Sequence, residues 1–290
     1  MEIDVLLSGS MGDLAQTVRA SLESHGLTVA EAPVPQNIFR DEFGYRRAIF
    51  HALERGIPKM IIPIGCQTAL SRAKSEIPSM IERIYGATDE TPLIPVESEG
   101  KIRSLDSKVE CSSLVAELGI VQPHIFNDIP DADDAYPLVF KRDISFGGQG
   151  VHVPKSRQAL RNLIGHQSPG EPYLIEEYIE GDDYSVDAFR WNGCFKGICY
   201  RTETKHWTGP SQSRTVVECP DLVASLRKIL DSIDYKGVCG ADFRVGKDGR
   251  AYFLECNPRF TGGLKTSIEA GLDLPWLLWD SAISEKQCQQ

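Results

Sequence analysis

Several features are missing from this 290-residue chain, and each absence removes a class of function. No apolar run approaches the roughly 20 residues that a membrane-spanning helix needs. The opening "MEIDVLLSGSMGDLAQ" has acids where a secretory leader carries bases, so export is not expected and a cytoplasmic location is. Eight cysteines are present without a single CxxC spacing, and in a large chain not expected to be exported they read as reduced, mostly buried thiols. There is no excess of basic residues. A formal charge of −10 makes the chain a poor general ligand for nucleic acid or an anionic membrane. Neither GxxxxGK[ST] nor GxGxxG occurs, so the standard phosphate loops are absent. Low-complexity tracts, heptads and internal repeats are lacking too.

What remains is the composition of a globular protein, 41% hydrophobic and 25% charged, long enough for more than one folding unit. Over 1–105, short apolar runs alternate with helical patterns. "IDVLLSG", "LTVAEA" and "KMIIPIG" read as strands, while "DLAQTVRASLESHG" and "YRRAIFHALERG" read as helices. This pattern predicts a small α/β domain with a parallel sheet. Its first turn, "GSMGD", is either a phosphate-binding glycine turn or a plain strand-to-helix turn. Beyond it, 106–119 reads as a helix and 138–153 as strand, glycine turn, strand. Residues 172–189 read as two strands around an acidic loop, and 221–234 as an amphipathic helix. The last two strands, "GADFRV" and "RAYFLECN", are joined by "GKDG". "SIEAGLDLPWLLWDSA" is expected to close the chain as a helix interrupted by proline.

The candidate chemistry concentrates in "GADFRVGKDGRAYFLECNPRFTGG". If "GKDG" is a four-residue loop, Val245 faces Arg250 and Asp242 faces Phe253. Asp242, Phe253, Glu255 and Asn257 then share one face, and Cys256 points away. Two carboxylates and an amide oxygen form a hard donor set suited to Mg²⁺ or Mn²⁺, which takes its remaining ligands from phosphate and water. Arg259 could hold a phosphoryl oxygen. Three further segments add to this. Lys141 ends an apolar strand and is followed by "GGQG", whose glycines let backbone N–H groups approach phosphate closely. "EEYIEGDD" offers extended backbone and nearby acids. The polar stretch 200–218 carries Arg201, Lys205, His206, Trp207 and Arg214. It is either a substrate-binding element or a surface loop.

In order along the chain, "SLDSK", "VFKRDISFGGQG", "EEYIEGDD" and "ADFRV…FLECNPRFTGG" resemble the ATP-grasp superfamily, most closely its carbamoyl-phosphate synthetase large-chain branch. The resemblance covers about 106–271. It implies an ATP-grasp α+β fold in which 1–105 forms the domain preceding the ATP-grasp and 106–290 the ATP-grasp domain. A lid is expected near 110–173 and a catalytic subdomain near 174–290.

The resemblance also implies roles. Lys108 and Lys141 would reach the nucleotide phosphates, and Gly147, Gly148 and Gly150 would form the flexible phosphate loop. Glu176 would lie near the adenine amino group, with Glu177, Tyr178 and Ile179 as the hinge. Asp183 stands where relatives place a ribose-binding glutamate. Asp242, Glu255 and Asn257 would hold the metal, and Arg259 would stabilise the transferring phosphoryl group. Arg201, Lys205 and Arg214 are candidates for substrate contact. The implied activity uses ATP and Mg²⁺ to activate a small-molecule carboxylate as an acyl phosphate, then couples it to an amine. A partner or a second copy of the chain is expected to complete the site. The competing expectation is a nucleotide-binding regulatory protein without ligation.

Overall fold

The apolar runs near the N-terminus pair as a parallel sheet in the order β2-β1-β3, formed by β1 (Val5–Ser8), β2 (Val29–Ala32) and β3 (Met60–Pro63). Both faces of this sheet are covered, which is why β1 and β3 are apolar at successive positions. Val5, Leu7, Met60 and Ile62 pack on one side with Val18 and Leu22 of α1 (Asp13–Ser24). Leu6 and Ile61 pack on the other with Tyr45 and Ile49 of α2 (Glu42–Leu53). The computed structural model describes residues 2–9, 12–32, 42–131, 135–145, 147–205 and 211–288. Helices α3 (Gln67–Ala73) and α4 (Ile77–Tyr85) follow β3. The predicted 106–119 helix is α6 (Lys108–Glu117), directly preceded by a further helix, α5 (Glu99–Asp106).

A small antiparallel sheet, ordered β5-β4-β6, comes next: β4 (Leu138–Arg142), β5 (Val151–His152) and β6 (Tyr173–Glu177). Leu138, Phe140 and Ile175 pack with Leu160 of α7 (Arg157–Gly165). Alternation along the strands therefore sends Lys141 and Glu176 to the face away from α7.

The largest sheet is antiparallel and ordered β11-β10-β7-β8-β9. It comprises β7 (Gly181–Trp191), β8 (Cys194–Lys205), β9 (Ser211–Val217), β10 (Gly237–Gly246) and β11 (Ala251–Asn257). On one face Val186, Ala188, Cys199, Ala241 and Phe243 pack under Leu222, Leu226 and Ile229 of α8 (Pro220–Ser232). On the other, Phe189 and Val238 join a core shared with β1, α1, α9 (Leu264–Glu269) and α10 (Leu274–Cys288).

Two expectations need correction. The stretch 200–218 is no surface loop where it is described, because most of it lies in β8 and β9. Cys199 and the Val217 opposite it meet the core under α8, whereas Arg201, Glu203, Thr204, Ser213 and Thr215 are exposed. Pro275 does not interrupt a helix; it lies in the first turn of α10, where a missing N–H costs nothing. Among the described residues, no helix is long and apolar enough to cross a membrane. All eight cysteines are free and five are buried, Cys194 and Cys288 being exposed.

Candidate active site

The β10–β11 hairpin differs from the expected register, and the difference builds the site. Near the turn, Val245, Arg244 and Phe243 face Ala251, Tyr252 and Phe253. Arg250 belongs to the turn, its carbonyl accepting from Gly246 N at 2.9 Å. The ladder then shifts, and beyond the shift Asp242 faces Glu255, Ala241 faces Cys256 and Gly240 faces Asn257. Leu254 is the inserted residue of this bulge. Phe253 therefore does not share the Asp242 face; it packs edge-on against Phe243, ring centres 5.7 Å apart, on the α8 side. Cys256 points to that side too, as expected. Glu255 and Asn257 are returned to the face of Asp242.

Asp242 and Glu255 stand as a directly opposed like-charged pair, an arrangement that is unfavourable unless something neutralises it. Burial, then the charge of Glu255, pushes the Asp242 carboxyl up to about 6 despite a 2.6 Å bond that Ser185 Oγ donates to it. Lys108 supplies one positive charge: its Nζ lies 3.4 Å from Glu255 Oε2 and donates to the Asp143 carbonyl at 3.2 Å. The start of α6 positions it. Ser107 caps that helix, accepting from Glu110 N, and donates its hydroxyl to Asp143 Oδ1 at 2.7 Å. Arg259 folds back at the end of β11, donating from Nη2 to Asn257 Oδ1 at 2.6 Å and from its backbone N to Asn257 O at 2.7 Å. Among the described residues no three His, Cys, Asp or Glu side chains gather into a metal cage. Two carboxylates and one amide oxygen on a shared face have the chemistry of a hard-cation site completed from outside the protein.

The small sheet closes on this hairpin through Lys141. Its buried ammonium lies 2.7 Å from Glu176 Oε2 and donates at 3.1 Å to the carbonyl of Leu254, the bulge residue. Gly147, Gly148 and Gly150 take φ of 59°, 76° and 84°, the left-handed region where a side chain is strained. At Gly150 a Cβ would also sit 3.0 Å from Arg142 Cδ. Glu177 extends the edge, its N–H donating to His124 O at 2.9 Å. Tyr178 and Ile179 bridge β6 to β7, and Ile179 O accepts from Arg244 Nη1 at 3.1 Å. The acids expected in a loop after them lie within β7. Asp183 Oδ1 there accepts from Arg244 Nε at 2.8 Å and Nη2 at 2.6 Å.

The three substrate candidates separate. Arg201 pairs across β8 with Tyr184 and Thr215, on the opposite face from Asp242, and forks onto Glu203 at 3.0 Å. The side chain of Lys205, and all of His206 and Trp207, lie outside the described residues. Arg214 does approach the site: Nη1 donates at 2.8 Å to the carbonyl of Gly262, and its charge reaches Asp242. Beneath the same turn Asp187 is buried and accepts from Thr261 Oγ1 at 2.7 Å, Tyr200 OH at 3.0 Å and Ser267 Oγ at 3.1 Å. Burial pushes its carboxyl above the ordinary carboxylate range, and these three donors oppose the rise. A Cβ on Gly263 would lie 2.6 Å from Asp187 Oδ2, which explains the second glycine of "FTGG". Asp106, Asp143, Asp187 and Arg244 were missed from sequence. Only Asp106 had a local signal, two residues before Lys108.

A family described as "ATP-grasp in the biosynthetic pathway with Ter operon" matches residues 170–290. The carbamoyl phosphate synthase large chain of Caldanaerobacter subterraneus subsp. tengcongensis is 29% identical over 226 residues, covering 68% of this chain and 21% of its own. The chain thus spans about a fifth of the length of the curated relatives it matches. An L-amino acid ligase from Bacillus licheniformis superposes with a TM-score of 0.70 over 97% of this chain and 75% of that one, at 15% identity. The biotin carboxylase domain of Hydrogenobacter thermophilus 2-oxoglutarate carboxylase, solved with MgADP, ADP and bicarbonate, gives 0.72 over 98% and 70%, at 15% identity. With its paired sheets and its "ECNPR" strand end, the chain matches an ATP-grasp family over 170–290 and is similar to the carbamoyl phosphate synthase large chain.

Proposed function

We propose that this protein is an ATP-dependent ligase that converts a small-molecule carboxylate to an acyl phosphate and couples it to an amine, releasing ADP and phosphate. The observation that carries this reading is the opposed pair Asp242 and Glu255, one of them pushed up to about 6, with Lys108 and the Asn257–Arg259 turn beside it. A carboxylate pair of this kind is relieved by a divalent cation. Asp242, Glu255 and Asn257 would hold Mg²⁺ or Mn²⁺, which supplies charge neutralisation on the phosphates.

The chain's own residues do the remaining work. Lys108 and Lys141 carry positive charge to the phosphates, and the backbone of Gly147, Gly148 and Gly150 covers them. Glu176, Glu177, Tyr178 and Ile179 border the base, and Asp183, oriented by Arg244, reaches the ribose. The substrate carboxylate attacks the γ-phosphorus. Arg259 neutralises the moving phosphoryl group, a role that needs positioning and charge more than covalent chemistry. Arg214 is the better-placed of the described substrate candidates. On this reading 1–105 is the domain preceding the ATP-grasp, about 110–173 the lid and about 174–290 the catalytic subdomain. The similarity of fold to an L-amino acid ligase and a biotin carboxylase domain supports small carboxylates as substrates.

The test is ADP release from Mg-ATP across a panel of amino acids and other carboxylates, each with and without amines, with mass spectrometry of the products. Substrate-dependent ADP and a new amide are expected. AMP as the first nucleotide product would contradict the acyl-phosphate route. Tight ATP binding with no turnover on any acid would favour a regulatory nucleotide-binding protein.

A further inference from the structure

Beside Arg259 lies a cavity of about 10 Å³, room for one water-sized group. Gly65, Gln67 and Thr68 line it from the start of α3, Asp106 from the end of α5, and Pro258 and Arg259 from the "NPR" turn. It therefore sits where the N-terminal sheet unit meets the phosphoryl-transfer residues. Asp106 differs from the other acids around the site. Asp143, Asp183, Asp187 and Asp242 each accept at least one hydrogen bond from a side chain. Among the described residues no protein donor hydrogen-bonds Asp106, although it lies within electrostatic reach of Arg259, Lys108 and Glu255. Asp106 is half-buried and lines this cavity, so its carboxylate is open to a donor brought by a ligand.

We propose that this cavity receives the nitrogen of the amine substrate, as an ammonium head group, with Asp106 as its acceptor and Gln67 and Thr68 as its polar walls. The inference rests on the ligase reading above and assigns that reaction's second substrate a position. The volume admits one nitrogen head group. The chemistry balances. The ammonium passes one proton to the Asp106 carboxylate, and the freed lone pair attacks the acyl carbon next to Arg259. The C–O bond to phosphate breaks, and phosphate leaves with that bonding pair. The remaining extra proton on nitrogen goes to water as the amide forms.

Hydroxylamine separates the two half-reactions, because it is largely neutral at pH 7 and needs no proton acceptor to attack an acyl phosphate. Asp106→Asn and Thr68→Val are compared with the wild type, using the carboxylate that the ADP-release panel identifies. The expected result for Asp106→Asn is a fall of at least tenfold in kcat/KM for the primary amine, the loss of one charge-assisted hydrogen bond. Hydroxamate formation and the KM for ATP stay within about twofold of wild type. Thr68→Val, which keeps the carboxylate, raises the KM for the amine with little change in kcat. Equal amine kinetics in Asp106→Asn and wild type overturn the proposal, as does parallel loss of amide and hydroxamate in a folded variant. Absence of ADP release by the wild type with every acid would instead defeat the ligase reading itself.

Discussion

Replacing Lys141 with methionine removes the ammonium that ties the small sheet to the bulge. Methionine keeps most of the volume, so the effect is electrostatic. Both partners of the Lys141–Glu176 pair are nearly inaccessible, with side chains 7% and 6% exposed, and solvent screening is weak. At 2.7 Å an effective dielectric constant of about 20 gives roughly 6 kcal/mol of attraction before desolvation is counted. Desolvation cancels much of that when both charges are present. Removing one alone strands the other, at a cost of about 3–5 kcal/mol. Lys141→Met should therefore destabilise by about 3 kcal/mol or more and also leave the Leu254 carbonyl without its lysine donor. Glu176→Gln should cost less, since an amide can still accept from the ammonium. The double variant should recover at least about 1–2 kcal/mol relative to the sum, because no buried charge is left unmatched. Urea unfolding of the four proteins without nucleotide measures this directly, with small-sheet and large-sheet transitions followed by separate probes. Additive single-variant effects, or a Lys141→Met protein as stable as wild type, would refute a buried ion pair as the tie between the sheets.

Glu255→Ala and Asp242→Ala should each abolish ATP turnover while the circular dichroism spectrum is kept; near-normal turnover by both folded variants would rule out the carboxylate pair as the metal site. Asp242, with its folded value raised from 3.8 to about 6, binds a proton more tightly when folded, so its contribution is greatest below pH 4 and is lost as pH rises towards 6. Asp242→Asn should flatten that part of a metal-free stability profile, and an unchanged slope would contradict the assignment. Gly263→Ala should destabilise by about 1–3 kcal/mol, since its Cβ would lie 2.6 Å from Asp187 Oδ2. Gly147→Ala, with φ of 59° and nothing within 4 Å, should cost only the backbone penalty of about 1 kcal/mol; thermal melts that rank the two in the opposite order would sink the steric reading. Asp183→Asn should weaken ATP binding by about 1 kcal/mol, roughly fivefold, through loss of a charged acceptor. An unchanged affinity by calorimetry would remove Asp183 from the nucleotide site.

What was legible from sequence followed the strength of each local signal. Runs such as "VLLS" and "MIIP" can only be buried strands when helical patterns flank them, and the parallel sheet follows. The residues brought together at the hairpin, Asp242, Glu255, Asn257 and Arg259, follow from "GADFRV" and "FLECNPRFTGG" plus the alternation rule. Three kinds of information were not local. Arg250 belongs to the turn and not the ladder, which moves the register by one residue and puts Phe253 on the α8 face, and the bulge at Leu254, which leaves no mark in "AYFLECN", adds a second shift. The paired ends of β8 and β9 are polar at successive positions, and the contact of Cys199 and Val217 with α8 is visible only once the sheet is assembled. Arg244 and Asp187 act through partners far along the chain, 61 residues for Asp183 and 74 for Thr261, which no spacing argument reaches.

The bulge connects these observations. A regular hairpin in the register set near the turn would place Leu254 opposite Asp242 and turn Glu255 towards α8, because alternation is strict. Inserting one residue reverses the alternation once, so Glu255 and Asn257 join Asp242 while Phe253 and Cys256 remain in the core. The same insertion takes the Leu254 carbonyl out of the ladder, and an unpaired buried carbonyl demands a donor. Lys141 is that donor, and its charge is balanced by Glu176. One extra residue thus aims the acids at a common point and fixes the lysine beside them. Deleting Leu254 would damage both at once, whereas substituting its side chain would leave the backbone arrangement standing.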